Sequence, residues 1–129
     1  MVGAHALAVH DRPRNTKDLD LWIRATPDNA GRVWRALQAF GATLDRLKIE
    51  DLCVDDVVFQ IGVALVRIDI LTSITGVEFE AAWRARVEID RDGLTVAVIG
   101  AELFVQNKEA AGRGQDLIDA ARVRKRLGM

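Results

Sequence analysis

Two periodicities divide the chain. In "DLDLWI", residues 18–23, acidic and apolar side chains alternate. Successive side chains of a strand point to opposite faces, so Asp18 and Asp20 share one face and the leucines the other. "VVFQIG" (57–62) and "LVRIDIL" (65–71) also read as strands. Gly62 and the small residues after it suit a tight antiparallel connection between them. "ARVEID" (85–90) and "LTVAVI" (94–99) flank the turn "RDG" and predict a second hairpin.

Helical spacing is clearest in "TPDNAGRVWRALQAFG" (26–41), where Ala30, Val33, Trp34, Leu37 and Phe40 form one apolar stripe. Thr26 is suited to cap this helix, Pro27 to its first turn and Asp28 to its dipole, with Gly41 as a left-handed stop. "GAHALAVHD" (3–11) predicts a short helix packed through Ala4, Ala6, Leu7 and Ala8 and ended by "RPRN", because Pro13 disfavours helix at the residue before it. Further helices are expected around "KIEDLC" (48–53), over "GVEFEAAW" (76–83) with Val77, Ala81 and Trp83 inward, and over "GAELFVQNKEAAG" and "GQDLIDAARVRKRL" at the end. Together these predict one α/β domain over 1–129, of the α+β kind, with a mixed, mostly antiparallel sheet flanked by helices.

Composition supports a folded core, since half the residues are hydrophobic and 29% are charged. No apolar run reaches the roughly 18 residues that span a bilayer, and the N-terminal stretch lacks the basic start and cleavage site of a signal peptide. A single cysteine, Cys53, excludes an internal disulfide and suits a reducing cytoplasm. The net charge of −1 gives no global attraction to nucleic acid. Basic residues nevertheless cluster, with Arg12, Arg14 and Lys17 before the paired aspartates and Arg122, Arg124, Lys125 and Arg126 at the end.

Candidate chemistry rests on three carboxylates. Asp69 lies between Ile68 and Ile70 in a strand pattern that disfavours aspartate. If its strand lies beside 18–23, Asp18, Asp20 and Asp69 converge on one sheet face. Oxygen ligands with open positions for water and phosphate suit Mg²⁺, and a pair of such ions can clamp both oxygens of a phosphoryl transfer. The spacing alone equally fits a solvated acidic face paired with nearby arginines, with Asp69 paired to Arg67. Gly3 fits an ordinary helix start, and equally leaves room for a phosphate at the backbone N–H groups there. His5 and His10 form no zinc set and read as packing or hydrogen-bonding residues, and Ser73, the one serine, has no histidine near it.

The combination of these features resembles a known family. "VGAHALAVHDRPRNTKDLDLWI" is similar to the opening motif of the nucleotidyltransferase superfamily that includes DNA polymerase β, and within it to small bacterial AbiEii toxin-like members. "RIDILTSITGVEFEAAW" and "NKEAAGRGQDLIDA" resemble later blocks of that group, so the likeness covers nearly the whole chain. It implies that Asp18, Asp20 and Asp69 bind two magnesium ions, with Asp69 also helping to deprotonate an acceptor hydroxyl. Gly3 and the backbone at Ala4 would cradle the β- and γ-phosphates of a nucleoside triphosphate. Lys108 and Arg113 would contact the phosphates or nucleotide, while Asp116 and Asp119 hold their helix and its basic neighbours in place.

The implied reaction moves a nucleoside monophosphate to a hydroxyl of an RNA end such as tRNA, a protein or a small molecule. The sequence departs from the pattern at Ala4, in place of a second glycine or serine, and at Gln115, in place of a basic residue. The family also has a helix and a strand ahead of the glycine, where Met1 and Val2 stand here. The resemblance carries the expectation of an antitoxin partner, and the departure ahead of the glycine those of a homodimer covering the sheet edge, a late start codon or a domain that has lost activity. The contrasting expectations are a non-catalytic binding module on the same fold and a carboxylate-metal nuclease.

Overall fold

The computed structural model describes residues 1–10, 18–63 and 66–128. The expected basic cluster at 12, 14 and 17, the proline break at 13 and the end of the first hairpin at 64–65 lie outside the described residues. Helix α1 (Gly3–His10) precedes strand β1 (Asp18–Trp22) and helix α2 (Pro27–Phe40). A 3-10 turn (Ile49–Cys53) then leads to strands β2 (Val58–Val63) and β3 (Val66–Leu71). Helix α3 (Phe79–Arg84), strands β4 (Val87–Arg91) and β5 (Leu94–Val98), and helices α4 (Ala101–Ala111) and α5 (Gly114–Leu127) complete the order.

The fold is α+β, with strands in two small sheets. In the first, β3 is central, parallel to β1 and antiparallel to β2; β4 and β5 form the second, an antiparallel pair. Parallel strands require a long crossover, which α2 and the 3-10 turn provide here. The β4–β5 turn is Asp92–Gly93, both with positive φ, as a two-residue hairpin requires.

Alternation along β1 and β3 separates two environments. Leu21, Ile23, Ile68 and Ile70 pack with Ala30, Val33, Trp34 and Leu37 of α2 and with Leu47 and Leu52 beyond it. That burial orients the sheet, so Asp18, Asp20, Arg67 and Asp69 point the other way. α2 begins and ends as its sequence predicts, with Thr26 Oγ1 accepting from the Asn29 amide at 3.4 Å and Gly41 left-handed at φ 91°. Phe40 departs from the expected stripe and is exposed, because it falls on the helix's last residue.

A second core joins α1, β5, α4 and α5 through Ala6, Leu7, Val98, Ile99, Phe104, Val105, Ala120 and Val123. Met1 and Val2 link this core to the acidic sheet. The Val2 amide donates to the Asp20 carbonyl at 3.0 Å, and the Ile99 amide to the Met1 carbonyl at 3.1 Å. The outer edge of β1 is thus paired at Asp20. His10 adds a bond at 2.7 Å between a ring nitrogen and the Ile99 carbonyl, as its hydrogen-bonding role predicts.

The phase of α3 differs from expectation. Ile74 and Val77 close a turn, so the helix begins only at Phe79. Ala82 is consequently its buried residue, and Trp83 lies at the surface. Phe79 stacks against Trp83 at 6.2 Å, and Arg86 lies over the Trp83 ring at 4.0 Å. These contacts cover the indole only in part, where a core position would have buried it.

Candidate active site

The register of β1 on β3 builds the site. Asp20 lies opposite Asp69, and Asp18 opposite Arg67, all on the sheet face turned away from α2. An open cleft of about 610 Å³ is lined by Gly3, Asp18, Asp20, Asp69, Lys108 and Arg113, together with Ser73, Thr75 and Asn107. Its size suits a small-molecule ligand. Six of the seven residues expected for the site therefore meet at one concavity. The side chain of the seventh, Ala4, lies outside the described residues.

Gly3 has φ +69°, and a Cβ there would overlap Asp20 Oδ2. The glycine is thus needed for the carboxylate to reach the start of α1. Burial and the neighbouring Asp69 raise the Asp20 pKa above the usual carboxylate range, Asp18 acts in the same direction, and Lys108 and His5 oppose them.

Arg67 answers the like-charge problem posed by three acids. Its Nη2 donates to Asp18 Oδ2 at 2.9 Å, and its Nε lies 3.3 Å from Asp69 Oδ1. The second contact is an ion pair without hydrogen-bond alignment, for both Nε and Oδ1 are buried and neither has a hydrogen-bond partner. Among the described residues no three histidine, cysteine or acidic side chains converge closely enough to hold a metal as they stand. The donor chemistry nonetheless suits Mg²⁺: the acids supply only oxygens, and Asp69 Oδ1 is a buried acceptor still lacking a donor.

The cationic wall comes from the α4–α5 corner. Lys108 Nζ lies 3.4 Å from Asp116 Oδ1, and Arg113 Nε donates to Asp116 Oδ2 at 2.7 Å. Asp116 is buried and also accepts from the Arg113 amide. Its positioning role is as the sequence predicts, while Asp119, also buried, accepts from Gln115 Nε2 at 2.8 Å. For Asp116, burial acts to raise the pKa, but the Arg113 hydrogen bond and the Lys108 and Arg113 charges outweigh it and the pKa is lowered.

Asp116→Ala is accordingly expected to cost about 2 kcal/mol, below the range for a fully buried pair because Arg113 is mostly exposed. Urea denaturation checks this. Because the folded pKa is depressed, the difference should be full above the ordinary carboxylate value and shrink as pH falls through the folded one.

Arg67, Ser73, Asn107 and Thr75 are among the polar lining or bridging residues that the sequence does not assign to the site. Arg67 was legible as a same-face neighbour of Asp69 two residues away. Asn107 and Thr75 carried no such signal, and they meet here because Asn107 Nδ2 donates to the Thr75 carbonyl at 2.9 Å. A second cleft of about 410 Å³ shares Ser73 and Ile74 with the first and is lined by Asp55, Asp56, Glu78, Glu80 and Arg24. No family model and no curated protein matches the chain. No helix among the described residues is long and apolar enough to cross a membrane.

Proposed function

We propose that this chain is a magnesium-dependent nucleotidyltransferase that moves a nucleoside monophosphate from a triphosphate to a hydroxyl acceptor. The observation that carries this reading is the convergence of Asp18, Asp20 and Asp69 on one face of two adjacent strands, in a cleft also lined by Gly3, Lys108 and Arg113. Asp18, Asp20 and Asp69 would hold the divalent ions. When bound, such ions stabilise charge on the attacking and leaving oxygens of a phosphoryl transfer.

The remaining roles belong to the chain's own groups. Lys108 and Arg113 supply positive charge for a triphosphate, held in place by Asp116 from below. The backbone at Gly3 borders the cleft without a side chain to obstruct an approaching phosphate. Asp69, buried and short of a hydrogen-bond donor, is suited to accept the acceptor's proton. The adjoining cleft carries four carboxylates against one arginine, which favours an acceptor lacking phosphates on that side over a polyanionic RNA end. A homodimer and an antitoxin partner belong to the same proposal.

A second reading, a non-catalytic module on the same fold, is favoured by one observation: Arg67 already neutralises two of the three acids. Calorimetric titration with each nucleoside triphosphate and Mg²⁺ separates the two. Magnesium-dependent binding that disappears in Asp18→Ala/Asp20→Ala supports the enzyme. Absence of binding in both proteins favours the module.

A further inference from the structure

We infer that Arg67 is a built-in counter-ion that competes with metal, holding Asp18 and Asp69 together until a divalent cation displaces its guanidinium. This rests on the metal-binding reading of the acidic face and adds to it a step by which the site becomes loaded. Three observations carry it.

The first is position. Arg67 is the residue opposite Asp18 in the parallel register and lies two residues before Asp69 on the same strand, so its guanidinium is shared by both acids. A cation drawn to Asp18 and Asp69 meets that charge at close range, where like charges repel and one oxygen of each carboxylate is already in contact with the guanidinium.

The second is mismatch. The Asp18 contact is a well-formed hydrogen bond, whereas the Asp69 contact brings a buried N–H and a buried oxygen to 3.3 Å without aligning them. Each is left with an unmet hydrogen-bonding requirement, which carries a free-energy cost. A hard cation on Asp69 Oδ1 would satisfy the oxygen, and a released Nε–H could be satisfied by water.

The third is an exit. The Arg67 side chain is 37% exposed, against 12% for Asp69. The arginine can therefore leave by rotating its flexible stem toward solvent, while the carboxylate stays on its strand. Asp20 shows no such contact with Arg67, and its charge is opposed by Lys108 and His5. The competition is accordingly local to Asp18 and Asp69.

Binding of metal and docking of Arg67 then oppose one another, and linkage requires that removing the arginine strengthen metal binding. Mn²⁺ is a suitable probe, followed by the relaxation of water protons in the whole chain without nucleotide. Arg67→Met keeps the aliphatic stem and removes the charge; it should tighten Mn²⁺ binding about tenfold and lower the metal-free denaturation midpoint. Arg67→Lys keeps a charge without the planar fork and should fall between Arg67→Met and the natural protein.

Unchanged or weaker Mn²⁺ binding in a folded Arg67→Met, with the natural protein still binding, would overturn the competition and leave the metal site standing. If Arg67→Met fails to fold, Arg67→Lys decides by the same criterion. Absence of Mn²⁺ binding in the natural protein and in both variants would overturn the metal reading and this inference together.

Discussion

Asp20→Asn is expected to weaken magnesium-dependent nucleotide binding by at least roughly a hundredfold and, without metal, to raise the denaturation midpoint at neutral pH. The two effects have one cause. Burial, then Asp69 and Asp18, push the Asp20 pKa up, so its charged form is disfavoured in the folded protein. A raised pKa contributes stability that is present below the unfolded value and lost as pH rises through the folded one. The natural protein loses that contribution as pH rises above the ordinary value toward neutrality, whereas asparagine never carries the charge.

The two midpoints should therefore converge below the ordinary value of 3.8 and separate above it. Thermal melts in a chelator across that range, beside calorimetry with Mg²⁺ and nucleotide, measure both halves. A variant less stable than the natural protein at neutral pH would show that Asp20 is structural rather than held at a cost to stability for its chemistry.

Gly3→Ala should cost roughly 1–3 kcal/mol through its positive φ, plus an additional cost from the collision with Asp20 Oδ2. Gly93 is the control: its φ is +83° and nothing stands within 4 Å of a Cβ placed there. Gly93→Ala reports backbone strain alone, and the excess seen in Gly3→Ala reports displacement of Asp20. Only Gly3→Ala should also lose magnesium-dependent nucleotide binding. Equal stability costs and unaffected binding in both would remove Gly3 from the site.

Much of this architecture was legible in the order of residues because it is local. The caps of α2, the Asp92–Gly93 hairpin and the alternation of 18–23 each follow from a few neighbouring residues, and the structure contains all three. The meeting of Asp20 with Asp69 was legible only conditionally. It required β1 to lie beside β3, a pairing across about fifty residues whose parallel direction no local pattern specifies.

The misses have similar origins. The phase of α3 was set by the Ile74–Val77 turn, which moved the helix start and exchanged Trp83 for Ala82 as the inward residue. The Met1–Val2 link depends on two distant strands presenting hydrogen-bonding groups to the same short segment. The sequence pairs Arg67 with Asp69 alone, because its larger role needs Asp18 from another strand.

The two-faced alternation of β1 also proofreads folding. A slip of one residue against β3 would turn Asp18 and Asp20 into the apolar layer beneath α2 and carry Leu19 and Leu21 into the cleft. Burying carboxylates without cations there would cost several kcal/mol, so shifted pairings are poor competitors. The acids that form the candidate site also act as a registration key. Neutralising both with leucine should therefore do more than silence the chemistry: it would remove the penalty that keeps the strand from settling one residue out of place.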